Sequence, residues 1–185
     1  MAFVLGLVLA VFACGKDAGR PNVEDAGSPI DTEVMAFLSE ARALHHQANL
    51  KEDTGDVAGA TQTMDRLVRA SMPHPAQKTP EVEEVLADAY ARLAELRLKA
   101  RDMDGALLSI TEGLKHAPEP TYFRGHLLEV QGIIEEGRAS DLADAGKKDE
   151  AAQARVRAMA ILQDAVRVQE QVIGKALGGP DGGQP

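Results

Sequence analysis

The sequence predicts an all-α protein, and three observations support that fold class. Apolar residues recur at helical spacing throughout residues 28–177, and no segment there shows sustained strand alternation. Three similar turn segments recur along the same region at nearly equal intervals. A chain of 185 residues with 44% hydrophobic and 26% charged residues also has the composition of one folded domain.

The N-terminal segment reads MAFVLGLVLAVFA, without a charged side chain, and polarity changes abruptly at Cys14-Gly15-Lys16-Asp17. As a helix this segment would span only about 18 Å, less than the roughly 30 Å hydrocarbon core, but it suits the apolar part of a secretory signal. Val11-Phe12-Ala13-Cys14 resembles the lipobox of bacterial lipoproteins, in which the cysteine becomes the acylated N-terminus. We expect residues 1–13 to be a lipoprotein signal peptide and Cys14 to be the lipidation site. The alternative is a buried apolar strand with an incidental cysteine.

Two polar segments flank the predicted helical domain. Residues 15–27, GKDAGRPNVEDAG, combine glycine, proline and acidic residues with almost no apolar side chain, and residues 178–185, GGPDGGQP, repeat that composition. Such segments bury too little surface to become ordered. We therefore expect a flexible tether over residues 14–27, a helical domain over 28–177 and a disordered tail over 178–185.

Two helices have clear start signals. Ser28-Pro29-Ile30-Asp31 is a capping-box pattern for the first helix, and Thr79 followed by Pro80 predicts an N-cap and first turn for a later one. Each start precedes a stripe of apolar residues on one helix face. The first stripe contains Val34, Phe37, Leu38, Ala41, Leu44 and Ala48, and the later one contains Val82, Val85, Leu86, Ala89, Tyr90, Leu93 and Ala94.

The repeated turns occupy residues 55–60, 101–106 and 146–151, and they end in Ala60, Ala106 and Ala151. Because these alanines are 46 and 45 residues apart and each turn lies between two helical patterns, the unit is a helical hairpin. A small residue at this position lets the second helix approach the first closely where the hairpin closes. The three alanines should therefore be buried at equivalent positions.

The middle unit resembles the tetratricopeptide repeat. Tyr90, Leu93-Ala94, Ala106, Ile110 and Pro118 match the family pattern at its spacings, whereas Arg97 stands where the family has a tyrosine. The likeness covers about residues 41–162; the first unit fits in part, and the third has Glu135 and Arg138 at positions meant for apolar residues. This resemblance implies about three antiparallel hairpins stacked as a short α-solenoid, and an ordinary helical bundle is the alternative.

In the tetratricopeptide family, the first helices of successive hairpins line a concave groove that binds peptides. The resemblance therefore implies a partner-binding groove, although a solvated polar face is the alternative reading. The residues that it places on this groove are Arg42, His45, Asn49, Asp88, Glu95, Lys99, Glu136 and Ser140.

The last predicted helix differs in charge from the rest of the chain. Between Lys147 and Lys175 it carries six basic and four acidic residues, whereas the whole chain has a formal charge of −9. This helix either docks on acidic repeats or an acidic partner, or it presents a solvated face. It also has an apolar stripe that needs to be covered, formed by Val156, Met159, Leu162, Val166, Ile173 and Leu177.

The sequence contains no recognisable catalytic constellation. Nucleophile elbows, phosphate-binding glycine loops, dinucleotide fingerprints and paired-histidine zinc motifs are missing, and none of the histidines has a glutamate three residues earlier, as di-iron bundles require. An acidic chain with 3% aromatic residues also suits nucleic acid poorly. We therefore expect no enzymatic activity, cofactor, metal or nucleic-acid partner.

The leading hypothesis is a membrane-anchored lipoprotein of the bacterial cell envelope, held in the outer membrane and facing the periplasm. The acyl chains on Cys14 would hold it to the lipid bilayer. Its helical repeats would make it a non-catalytic adaptor or assembly factor for an envelope protein or peptide. The alternative is an envelope enzyme or a small-ligand-binding helical bundle, which would need convergent buried polar groups.

Overall fold

Residues 31–74 and 78–178 are described by the structure, a computed structural model, and they form helices without any β-strand. This confirms the predicted all-α class for the described part. The six helices are α1 (Thr32–Asp53), α2 (Val57–Val68), α3 (Pro80–Lys99), α4 (Met103–His116), α5 (Tyr122–Asp144) and α6 (Lys148–Ala176). The predicted signal peptide, the tether with Cys14, and tail residues 179–185 lie outside the described residues.

The helices pair as hairpins in chain order. α1 packs on α2, α3 on α4, and α5 on α6, and the middle hairpin contacts the other two through α2–α3, α1–α3, α4–α5 and α3–α5. Within the described ranges, no helix of the first hairpin packs against a helix of the third. The hairpins therefore follow one another as a linear row.

The three hairpin turns share one backbone conformation. The second residue after each first helix adopts a left-handed conformation, with φ of 84° at Gly55, 65° at Arg101 and 77° at Gly146. The next amide donates to a carbonyl in the last turn of the first helix, at 2.8 Å in the first two turns and 2.9 Å in the third. Only glycine adopts this conformation without strain, so Arg101 is the unfavourable residue at this position.

The repeated alanines are equivalent, as predicted. Ala60 and Ala106 are fully buried and Ala151 is 1% exposed. Their amides donate to the carbonyls of Asp56, Asp102 and Lys147 at 2.9–3.0 Å, which places each alanine in the first turn of its second helix. In the first two hairpins the Asp56 and Asp102 side chains cap that helix, whereas Lys147 makes no side-chain cap.

The predicted capping box of α1 is wrong in register. Asp31 has extended backbone angles and is itself the N-cap, and its carboxylate accepts from the amides of Glu33 and Val34 at 3.0 and 3.1 Å. An aspartate satisfies the free amides of a first turn as well as a serine does, so Asp31 is the N-cap and the helix begins at Thr32. Thr79 and Pro80 start α3 as predicted, although the Thr79 side chain makes no capping hydrogen bond.

The middle hairpin packs through two different faces of α3. Large side chains such as Val82, Leu86 and Leu93 join the core of the first hairpin. Ala87 and Ala91 face the other side and join a second core with residues of α4 and α5. Because α3 is covered on both sides, it is the central helix of the row.

Arg97, which departs from the tetratricopeptide pattern, closes its hairpin. Its guanidinium donates to the Gly105 carbonyl at 3.0 Å and to the buried Ser109 hydroxyl at 2.8 Å. In the first hairpin Lys51 occupies the equivalent position and donates to the Thr63 hydroxyl at 2.8 Å. The first two hairpins therefore share a cation that links their two helices.

The third hairpin closes differently. Leu142 and the fully buried Ala154 stand at the positions of the cation and the hydroxyl. Glu135, 6% exposed, accepts from Arg157 of α6 at 3.0 Å and from Arg138 at 3.2 Å. Glu135 and Arg138, which stand where the family pattern has apolar residues, thus belong to an ion-paired cluster between α5 and α6.

The large apolar residues of the stripe predicted on the last helix are not the residues that α6 buries. Met159 and Val166 are 61% and 57% exposed, and the residues of α6 that pack in the interior are small alanines. These alanines and Gly132 of α5 permit a close approach, since a Cβ at Gly132 would lie 2.6 Å from the Leu162 side chain. The larger apolar residues are consequently left on the flank of the helix pair.

Candidate functional site in a cleft of the first helices

The residues predicted for the groove lie on the first helices of the three hairpins. Arg42, His45 and Asn49 are on α1, and the remaining residues are on α3 and α5. None of the eight is fully buried. The structure brings together the α1 and α3 members and leaves the two α5 members apart.

A cleft of about 400 Å³ lies between α1 and α3 and is bordered by the first turn of α5. Leu38 and Val85 supply apolar walls, with Phe123 of α5 beside them. Three of the predicted residues line the cleft: Arg42, His45 and Asp88. Such a cavity, apolar with a few polar groups, is typical of a recognition site.

The cleft carries more negative than positive charge. Glu81, Glu84 and Asp88 line it on the α3 side, and Arg42 on the α1 side is a cation without a salt bridge within the described ranges. His45 Nε2 lies 3.8 Å from an Asp88 carboxylate oxygen. Burial lowers the pKa of His45 below its usual value, although Asp88 acts in the opposite direction. At neutral pH the imidazole is therefore uncharged and the cleft is acidic.

A polar network beside the cleft fixes α1 against α3. Arg92 of α3 contacts Glu52 and donates to the Asn49 side chain of α1 at 3.1 Å and to Glu95 at 3.0 Å. Lys99 donates to Glu52 at 3.0 Å. This hydrogen bond from Lys99 is the largest cause that lowers the pKa of Glu52, and Arg92 adds to it against the effect of burial. Asn49, Glu95 and Lys99 are thus positioned by contacts within the chain.

The third hairpin contributes less to this surface than predicted. Glu136 and Ser140 are exposed on α5, and in the described part of the chain neither makes a side-chain hydrogen bond or ion pair with α1 or α3. The α5 residue that does reach the network is His126, whose Nε2 lies 3.7 Å from Glu95. The first two hairpins and the start of α5 therefore build the candidate site.

Sequence reasoning predicted Asp88 but missed Arg92 and the two other acidic residues of the cleft, Glu81 and Glu84. Leu38 and Val85 were assigned to the apolar stripes, but both are half-buried and face the cleft. Glu81 and Glu84 lie in the first two turns of α3, where acidic residues are common for helix stability alone. Periodicity alone does not distinguish a residue that lines a cleft from one that packs in a core or stabilises the start of a helix.

The described residues contain no group of three or more His, Cys, Asp and Glu side chains arranged to hold a metal ion. His74 and His116 each pair with a carboxylate, Asp31 at 2.8 Å and Glu83 at 3.0 Å, and His116 also stacks on Tyr90. Every buried side-chain nitrogen or oxygen of the described ranges has a hydrogen-bond partner. These histidines have structural contacts.

No helix in the described ranges combines the length and apolarity that crossing a bilayer requires. Comparison with known proteins adds no relative: no family model matches the chain, and neither the curated proteins nor the solved structures gave a significant match.

Proposed function

We propose that the protein is a non-catalytic adaptor that binds a peptide segment of another envelope protein in the cleft between α1 and α3. The observation that supports this proposal is the composition of the cleft, with apolar walls from Leu38, Val85 and Phe123 beside an excess of carboxylates. Its size suits one or two side chains of an extended or helical peptide. The partner segment would carry a lysine or arginine next to an apolar residue.

The tetratricopeptide-like arrangement is part of this proposal. It is supported by the linear row of hairpins, by their common turn geometry and by the residues of the middle unit that match the family pattern. In a stack of this kind the first helices share one surface, and the cleft lies between two of them.

Photo-crosslinking from within the cleft tests the binding proposal. A photoreactive amino acid at Val85, in the full chain expressed in its own cell envelope, should yield a discrete adduct. The matched control is Leu108 of α4, which is 66% exposed and does not line the cleft. The adduct should disappear when Glu81→Lys and Glu84→Lys reverse the charge of the cleft. Adducts of equal yield from both sites, or an adduct that survives the reversal, would contradict the proposal.

We also propose that the chain is anchored to a membrane of the bacterial envelope through an acylated Cys14. The support is the apolar segment that ends at Ala13-Cys14 and the polar segment that follows. Intact-mass analysis of membrane-extracted protein should give a chain that begins at Cys14 and carries acyl mass. Cys14→Ala should abolish that mass and release the protein from the membrane fraction or leave it unprocessed. A mature chain that begins elsewhere would contradict the anchoring proposal and leave the cleft proposal standing.

A further inference from the structure

One line of residues along α6 is exposed and largely apolar, with Arg155 at its start and Glu170 near its end. Met159, Val166 and Ile173 are 61%, 57% and 55% exposed, although they lie three or four residues from other apolar positions on one helix face. We call this line the α6 stripe; it consists of Arg155, Met159, Leu162, Val166, Glu170 and Ile173. It borders two grooves of about 670 and 420 Å³ along α6. Neighbouring apolar residues that are exposed on one helix face form the kind of patch that can serve as an interaction surface.

The position of Met159 in the repeat shows what kind of element would fit the α6 stripe. With the spacing of the repeated turns, Met159 corresponds to Val68 of α2 and Leu114 of α4. Both of those residues pack in a core that the following first helix, α3 or α5, completes. In the described part of the chain no helix follows α6. The stripe therefore fits one more helix of the kind that α3 and α5 supply.

The charges at the ends of the α6 stripe have opposite signs and no salt bridge within the described residues. On α6, Arg157 pairs with Glu135 and Arg167 with Asp164, but Arg155 and Glu170 have no such partner. The two are separated by about 22 Å of helix with apolar residues between them. A helix with a positive and a negative end around an apolar centre is complementary to itself when it is reversed.

We propose that the α6 stripe is the contact surface of a homodimer in which the two α6 helices run antiparallel about a twofold axis near Leu162 and Gln163. In this arrangement Arg155 of each copy faces Glu170 of the other, and Met159 faces Val166. The second α6 takes the place that the following helix occupies in the first two hairpins. The dimer also presents two clefts, so that a partner with two binding segments gains from effective concentration.

The acidic groups beside the stripe favour a second copy over a membrane surface. Glu129 of α5 and Glu170 line the groove at the C-terminal half of the stripe. Anionic headgroups would be repelled at that end, whereas a reversed second helix brings Arg155 to it.

Charge reversal tests the antiparallel arrangement with the full-length chain in density-matched detergent micelles. Sedimentation equilibrium should show a concentration-dependent dimer for the unmodified protein. Arg155→Glu and Glu170→Arg should each raise the dimer dissociation constant by about tenfold or more, because each places like charges opposite one another twice. An equimolar mixture of the two variants should dimerise again, since every facing pair is then attractive.

Two further variants make the result specific. Val166→Glu should abolish the dimer by placing a charge at the apolar centre, and Lys175→Glu, an exposed reversal on another face of α6, should leave it unchanged. A chain that is monomeric at every concentration would overturn the proposal, and so would a mixture that fails to associate after both single variants have dissociated. Flotation with anionic vesicles that depends on Val166 in a monomeric chain would assign the stripe to lipid instead.

Discussion

Arg97 links three helices through a single side chain. Its guanidinium joins α3 to the Gly105 carbonyl and Ser109 hydroxyl of α4, and it also donates to Asp65 of α2 at 3.0 Å. Arg97→Leu would remove one of the two hydrogen bonds of the buried Ser109 hydroxyl, which keeps its bond to the Gly105 carbonyl, and would leave Asp65 with only the more distant Arg69, at 3.8 Å. We expect the free energy of unfolding to fall by about 1–3 kcal/mol in urea denaturation.

The chain supplies its own control for this substitution, because the third hairpin has Leu142 and Ala154 at the corresponding positions. Arg97→Leu combined with Ser109→Ala should therefore lose less stability than the sum of the single substitutions. Arg97→Lys, which imitates Lys51 of the first hairpin, should lose less than Arg97→Leu. Costs that are strictly additive would show that the two side chains do not act as a pair.

His45 makes the stability of the fold depend on pH. Its folded-state pKa lies below the usual histidine value of 6.5 because of burial, with Asp88 opposing that effect and Arg92 adding to it. The unfolded chain therefore binds a proton more readily than the folded one, so this contribution to stability is full above about pH 6.5 and is lost as the pH falls through the folded pKa. The loss should be smaller in His45→Gln. An NMR titration of the imidazole that gives a pKa above 6.5 would contradict this account.

The role of a single residue could be predicted from the sequence where that role follows from the spacing of the repeat. Ala60, Ala106 and Ala151 recur at a fixed interval, so their burial could be predicted. The Arg92 network occurs once, between helices that are distant in sequence, and no repeat reveals it. Arg97 departs from the tetratricopeptide pattern, whereas within this chain it is structurally equivalent to Lys51.

The hairpin is the element that repeats, and its closure can be tested at the middle alanine. Ala106 is fully buried where α4 begins against α3, so Ala106→Leu should overpack the site. We expect a loss of about 1–3 kcal/mol in the free energy of unfolding. Ala151→Leu should cost less, because the third hairpin packs against one neighbouring hairpin and the middle one against two. A loss near zero at Ala106 would mean that the repeat register is wrong.

Element boundaries show where local signals were sufficient. Pro80 at the first helical position identified the start of α3. Proline is favoured there because the backbone N–H that it lacks would have no hydrogen-bond partner within the helix. The start of α1 was placed at Ser28, three residues too early, because both Ser28 and Asp31 satisfy the N-cap chemistry and the pattern cannot rank them. For α6, the pattern identified an apolar stripe but not that alanines would make the interior contacts.

At the scale of the whole molecule, the order of the hairpins governs how perturbations combine. The first hairpin contributes Leu44 to one core and the third contributes Ile134 to the other, and within the described ranges the helices of these hairpins do not pack against one another. By contrast, Leu67 of α2 and Leu86 of α3 lie in the same core. Substitutions in separate cores should act independently, whereas substitutions in a shared core should be coupled.

Double-mutant cycles test this linear arrangement of the three hairpins. Leu44→Ala and Ile134→Ala should each cost about 2–5 kcal/mol, and their combination should equal the sum within about 0.5 kcal/mol. Leu67→Ala and Leu86→Ala should deviate from their sum by more than that, because the second truncation enlarges a cavity that the first has already opened. The cycles are measured by urea denaturation, or by hydrogen exchange where a double variant is too unstable. Strong coupling between Leu44 and Ile134 would show that the outer hairpins share one core and would contradict the linear row.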